Sequence, residues 1–181
     1  MSVPDPRGRA VVALLPRQIS ARIDRWRSRY DPSFRNVPPH ITVTCPPFVP
    51  HEEWERVQPL AVRCLARFAP FRVQLEHLDV FWGSPSYLWL APEDGGSLTR
   101  IHQALTQLIP EYMPPLPFVY LPHVTIGAFS SDCDLLVAKE AIHSAWKPCL
   151  FELTELVYTA PDERSVWCVC SHLPLGSVER R

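Results

Sequence analysis

The chain carries one short pattern twice, as Pro39-His40-Ile41-Thr42-Val43 and as Pro122-His123-Val124-Thr125-Ile126. Proline cannot donate to a sheet ladder, so each copy reads as a strand that starts where its proline ends. Pro46 and Pro47 also close the first copy, which leaves it a working length of about five or six residues. Side chains alternate between the faces of a strand, so His40 and Thr42 point one way and Ile41 and Val43 the other. The same holds for His123 and Thr125 against Val124 and Ile126. The apolar pairs face helices, and the polar pairs are left on the opposite face.

The segments around the two copies repeat as well. Ala10 to Leu15 reads as a buried strand, and Pro16 opens a helix through Ile19, Ile23 and Trp26. Tyr30-Asp31-Pro32 ends it, because the residue before a proline resists the helical region. After the first motif strand, a helix is expected over Glu52 to Phe68, with Pro59 able to kink or divide it, and then a strand from Phe71 to about Phe81. Past the turn Gly83-Ser84-Pro85 the order recurs: a strand at Tyr87 to Ala91, then a helix through Leu98, Ile101, Leu105 and Leu108. A loop rich in proline (Pro114, Pro115, Pro117) leads to the second motif strand, which is followed by a helix over Asp132 to Trp146 and a strand over Leu150 to Thr159. A last strand covers Ser165 to Ser171, and the tail from Gly176 is expected to be loose.

Strand, helix, strand, helix, strand given twice is the signature of a duplicated module, and each half alone is too small to bury its sheet. The expected fold class is α+β: a bilobal, duplicated β-α-β-α-β module whose two mainly antiparallel sheets form a central groove with helices outside. The lobes fall at about residues 8–82 and 86–172, within a single domain over residues 1–181. A chain of 181 residues, 46% of them apolar, is long enough for such a core.

Composition removes several classes of function. The apolar run Ala10 to Leu15 is too short for a signal peptide or a membrane span, so a soluble, cytoplasmic protein is expected, with no membrane or protein partner implied. A formal net charge of −1 argues against a generic nucleic-acid coat. Residues 1–40 hold eight arginines against three acids, which reads as a local basic patch or a solvated helix face. The six cysteines form no Cys-x-x-Cys pair and are expected to be small buried hydrophobes; Cys168 and Cys170 share a strand face without zinc spacing.

The repeated polar face suits phosphoryl chemistry. Imidazole gives or takes a proton near neutrality, and a diester needs both a base for the attacking oxygen and an acid for the leaving one. Threonine hydroxyls can hold the non-bridging oxygens. Seven histidines and seven threonines placed at random yield roughly a quarter of one His-x-Thr, so a single copy would mean little. Two copies in equivalent strands carry far more weight.

These motifs resemble the paired His-x-Thr/Ser-x motifs of the two-histidine (2H) phosphoesterase superfamily, which includes the 2'-5' RNA ligase-like proteins. Arg29-Tyr30-Asp31-Pro32-Ser33-Phe34 followed by Pro38-Pro39-His40 is similar to a bacterial branch of phosphoesterases within it, and Ser86-Tyr87-Leu88-Trp89-Leu90 is similar to the strand that opens the second lobe there. The resemblance implies His40 and His123 as the acid/base pair, Thr42 and Thr125 as phosphate-holding groups, no metal and no cofactor. The function it implies is a metal-independent phosphodiesterase for 2',3'-cyclic phosphate RNA 3' ends or small nucleotides. The alternatives are a 2'-5' RNA ligase and, from another class, a binding module for RNA or nucleotides without turnover.

Further candidates flank the motifs. Tyr87 and Trp89 alternate with Leu88 and Leu90, so they either stack a base or pack between the lobes. Arg29, with Arg27 and Arg35, either neutralises a phosphate or is ordinary surface charge. Phe48, Tyr120 and Phe129 are expected to pack. His51, His77, His102, His143 and His172 have no paired context.

Overall fold

The computed structural model describes residues 9–113 and 118–176. The loop positions Pro114, Pro115 and Pro117, and the tail past Gly176, lie outside the described residues. In chain order the elements are β1 (Ala10–Leu14), α1 (Arg17–Tyr30), β2 (His40–Thr42), α2 (His51–Leu65), β3 (Phe71–Phe81), β4 (Ser86–Glu93) and α3 (Ser97–Leu108). A 3-10 turn at Pro110–Tyr112 precedes β5 (Val124–Phe129), α4 (Asp132–Ala145), β6 (Cys149–Leu153), β7 (Glu155–Pro161) and β8 (Trp167–Pro174). None of these helices is long and apolar enough to cross a membrane.

The strands form two four-stranded antiparallel sheets, ordered β2-β1-β7-β8 and β5-β4-β3-β6. The β-α-β-α-β order does occur twice, but the sheets are not the two halves of the chain. β3 pairs with β4, from Phe81 opposite Tyr87 to Gln74 opposite Glu93. Reciprocally, β7 pairs with β1, Ala10 lying opposite Thr159 and Val12 opposite Val157. The expected division at residues 82 and 86 is therefore corrected: each half sends strand into the other half's sheet. The reason is backbone pairing. β1 has β2 on one edge only, and its other edge needs a partner, which β7 supplies.

The single strand expected over Leu150 to Thr159 is also two strands. It breaks at Thr154 into β6, paired with β3, and β7, which lies between β1 and β8. Both pieces bury apolar side chains, Phe151 and Leu153 in one and Leu156, Val157 and Tyr158 in the other, so nothing in the hydrophobic pattern marks the break. β2 is shorter than expected. The backbone N–H groups of Val43 and Thr44 both bond to the Val11 carbonyl, and the Thr44 hydroxyl accepts from the Val11 N–H, so the ladder stops after Thr42. Pro59 does not divide α2, which runs unbroken from His51 to Leu65.

One core unites helices and both sheets, with Ile23, Ile41, Leu65, Leu88, Ile101, Leu105, Ile126 and Tyr158 fully buried. Each such side chain contributes about 1.5–3 kcal/mol of burial free energy. Trp54 of α2 stacks on Tyr158 of β7 at 3.9 Å and donates to the Ser171 hydroxyl of β8, fixing that helix to the first sheet. The cysteine expectation holds only for Cys64; Cys133, Cys168 and Cys170 are exposed, and Cys45 and Cys149 are half-buried. Cys168 and Cys170 lie on the edge strand β8, on a face that the core leaves exposed among the described residues.

α1 crosses to pack on β5, and Gly127 permits that contact. A Cβ at this position would lie 2.5 Å from Tyr30 Cβ and 3.0 Å from the Tyr30 carbonyl oxygen. Backbone cannot yield as a side-chain tip does, so Gly127→Ala is expected to destabilise the protein by about 1–3 kcal/mol in urea denaturation. A loss within error would mean that α1 is free to move off β5.

Candidate active site

The two motif strands are edge strands of different sheets, β2 of the first and β5 of the second. Ile41, Val124 and Ile126 are fully buried, while His40, Thr42, His123 and Thr125 are only half-buried. Alternation thus sets the two polar pairs on one side, as the sequence implies. His40, Thr42, Thr125, Tyr87 and Trp167 line a cavity of about 280 Å³. His123, Thr125, Tyr87, Phe81, Phe118, Val119 and Leu121 line a second of about 500 Å³. Thr125 and Tyr87 belong to both, so the cavities are two compartments of one groove between the sheets.

Both histidines are held in the same way. His40 Nδ1 lies 2.8 Å from the Pro38 carbonyl oxygen, and His123 Nδ1 lies 2.8 Å from that of Leu121. A carbonyl only accepts, so in each ring Nδ1 carries the proton and Nε2 is left as the reactive nitrogen. The Thr42 hydroxyl donates to the neutral His40 Nε2 across 3.2 Å. Each imidazole also rests on aromatic rings. Trp167, at the start of β8, lies 4.7 Å from His40, and Phe81, at the end of β3, meets His123 edge-on at 5.0 Å.

The flanking candidates divide. Tyr87 is 40% exposed and faces the groove, where it can meet a substrate. Trp89 is 3% exposed and lines neither cavity; it stacks on Phe81 at 4.6 Å and abuts His123 at 5.8 Å. Mid-strand between β3 and β5, its ring is covered and supports His123 from below, so it offers no face to a base. Arg29 is exposed, over the Trp26 ring, and lines neither cavity. Helix geometry explains this: Ile19, Ile23 and Arg27 share the buried stripe at i, i+4 and i+8, and Arg29 falls well round from it. Arg27 is the arginine in the cavity wall, 3% exposed. It is already committed to Asp24, Asp31 and the Val37 carbonyl, just ahead of Pro38 and His40. Phe48 and Phe129 are buried, as expected. Trp167, Phe81, Phe118, Val119 and Leu121 are site residues that the sequence does not single out. A hydrophobic run directly before the second motif is the available signal for the last three.

Burial disfavours charge on both rings. It pushes His40 down to about 4, with the Pro38 hydrogen bond opposing and the Arg27 and His123 charges adding to the fall. It lowers His123 as well, against the Leu121 hydrogen bond. The folded protein binds these protons more weakly than the unfolded chain, so both groups favour folding at neutral pH and withdraw that support as pH falls from about 6.5 toward 4. Ring NMR titration is expected to find both histidines neutral at pH 7 with midpoints below 6.5, and His40→Asn is expected to flatten the acid side of the stability curve. A His40 midpoint at or above 6.5 would contradict this.

The sequence pattern of the 2'-5' RNA ligase superfamily matches residues 15–163. A relative from Geobacillus kaustophilus, named "Putative phosphoesterase GK0864", is 27% identical over 65% of this chain and 66% of its own length, so the chain spans just under two thirds of that relative. "Putative phosphoesterase BH1439" of Halalkalibacterium halodurans is 26% identical over 93% of this chain and 98% of its own. In structure, TT0787 of Thermus thermophilus superposes with a TM-score of 0.67 at 18% identity, covering 93% of this chain and 99% of that one. E. coli LigT complexed with 3'-AMP superposes with a TM-score of 0.65 at 19% identity, covering 96% and 100%. The two structural likenesses speak for the fold. The sequence match extends over most of the chain and takes in both motif strands, and on it this protein belongs to the 2'-5' RNA ligase superfamily of two-histidine (2H) phosphoesterases.

Proposed function

We propose that the protein is a metal-independent phosphodiesterase that opens 2',3'-cyclic phosphates on RNA 3' ends or small nucleotides, with His40 and His123 as its acid/base pair. The observation that carries this reading is the matched setting of the two rings: each Nδ1 is tied to the carbonyl two residues back, and each ring lines one compartment of a shared groove. One Nε2 takes a proton from water as its oxygen bonds to phosphorus. The other Nε2–H gives its proton to the ribose oxygen whose bond to phosphorus breaks. A phosphomonoester and a free hydroxyl result, and proton exchange with solvent resets the pair. Thr42 and Thr125 hold the non-bridging oxygens, a role that suits hydroxyls where Arg27 in the wall is already engaged. The apolar compartment beside His123 accommodates the base, with Tyr87 at the boundary between the two.

One likeness favours a nucleotide substrate. The fold is shared with a LigT structure that holds 3'-AMP, a ribose phosphate. Among the described residues, the one His/Cys/Asp/Glu group close enough to hold an ion is Glu76, His77 and Glu93. It lies at the far end of the β3–β4 ladder from Tyr87. A cytoplasmic location fits such a substrate. The superfamily's own description favours a second reaction in the same groove, in which a 5'-hydroxyl replaces water and a 2'-5' bond forms.

Incubation with 2',3'-cyclic nucleotides and cyclic-phosphate RNA ends is expected to yield phosphomonoesters, in excess EDTA as without it. Recovery of 2'-5' linked product would select ligation, tight binding without turnover would select the binding module, and loss of activity in chelator restored by a divalent ion would end the metal-free reading. His40→Ala and His123→Ala are each expected to lower kcat by about 10²- to 10⁴-fold, and Thr42→Val or Thr125→Val by about 10²-fold. Because burial lowers both histidines, kcat/KM is expected to peak on the acid side of neutrality and to fall as pH rises through the higher of two apparent midpoints below 6.5. A bound phosphate anion favours the protonated ring, so the kcat profile is expected to lie at higher pH than that of kcat/KM.

A further inference from the structure

Two residues of the second half of the chain reach over to the first motif strand. The Tyr120 hydroxyl donates to the Thr42 carbonyl at 2.7 Å, and His102 Nδ1 donates to the Val43 carbonyl at 2.7 Å. Their rings stack at 3.9 Å and within 5° of parallel, so they act as one plate. His102 stands on α3 and is nearly buried at 9% exposure. β2 has β1 on one edge only and lies at the margin of its sheet. These two bonds therefore hold a three-residue strand from the side its own sheet leaves open.

The position of Tyr120 in the chain gives this bond a consequence. Tyr120-Leu121-Pro122-His123 is a short run in which the Leu121 carbonyl fixes His123 Nδ1 and Pro122 removes one backbone torsion. The residue fastened to Thr42 thus lies only a few positions ahead of the residue that carries the second imidazole. The bond from Tyr120 to the Thr42 carbonyl therefore ties the first motif strand to the segment that leads directly into His123. Burial raises the Tyr120 phenol far above its ordinary range, which keeps it a donor at every working pH.

We propose that Tyr120, backed by the His102 ring, is a positioning residue: its hydroxyl on the Thr42 carbonyl sets the spacing between Thr42 and His123 across the groove. The role rests on the reading of His123 as an acid/base group. In-line transfer requires acid, phosphorus and base to be aligned, and a misplacement of about 1 Å is enough to cost about 10²-fold in rate.

Tyr120→Phe keeps the ring stack and removes only the hydroxyl. Expected with a cyclic-phosphate substrate are a native-like melting curve, a KM within about twofold of wild type and a kcat lower by about 10- to 100-fold. In a His123→Ala background the same change is expected to alter the residual rate by less than about twofold, because the ring it positions is gone. Equal loss in both backgrounds, or an unchanged kcat in the single variant, overturns the proposal. If wild type turns over no cyclic phosphate, the functional reading fails on its own, and NMR then judges the positioning role. Tyr120→Phe must still move the His123 ring resonances, and resonances left in place sink it.

Discussion

Everything at the site follows from two edge strands, each with a single neighbour in its sheet. β2 and β5 bury Ile41, Val124 and Ile126 in the common core, and that burial turns His40, Thr42, His123 and Thr125 toward the gap between the sheets. A one-residue slip of either strand would put its histidine into the core and its apolar residues into the groove. The aromatic supports, the carbonyls that fix each Nδ1 and the ties on Thr42 and Val43 all act on strands whose facing is already set by the core.

The part of this that is legible in the sequence is the part written as period. The two His-x-Thr strands, the four helices and the order of elements come from spacing and proline placement, and the structure has each of them. The pairing of strands is not periodic. Thr154 separates two strands of different sheets, yet the residues on either side look like one buried stretch. Sequence order then suggests contiguous lobes, whereas the backbone edges of β1 and β4 find partners from the opposite half. Arg27 and Arg29 show the same limit at the scale of a side chain. Both precede the motif, and only the helix stripe, counted from Ile19 and Ile23, separates the one in the wall from the one in solvent. Trp89 alternates properly, but whether a ring on the groove face is open or covered depends on Phe81, which arrives with β3. Tyr120 is expected to pack, and it does, on a histidine that has no motif of its own.

The electrostatics of the groove differ from those of a phosphate site built on free cations. The arginine in the wall is shared between Asp24 and Asp31, so its charge is largely spent before a ligand arrives. The two imidazoles are neutral at rest because burial penalises their charged forms. On the proposed function, a phosphodiester would bring the negative charge that makes protonation favourable, and the groove would take up its proton with the substrate. A site of this kind attracts anions weakly at a distance and holds them by local hydrogen bonds, which suits a small neutral-walled compartment more than a long basic track.

The crossing of strands between halves has a further consequence for how the chain reaches this state during synthesis. Ala10 lies opposite Thr159, so the first sheet joins residues near the two ends of the described chain. Until the second half has been made, β1 has no β7 to cover its far edge, and an open strand edge is a recognised hazard for association with other chains. Contacts this distant in sequence also slow folding, because a long loop must close before any of them forms. The groove is completed only when β7 and β8 dock, and Trp167 then arrives against His40 as nearly the last piece. A nascent or truncated chain lacking those strands would have both motifs in its sequence and no finished groove to put them in.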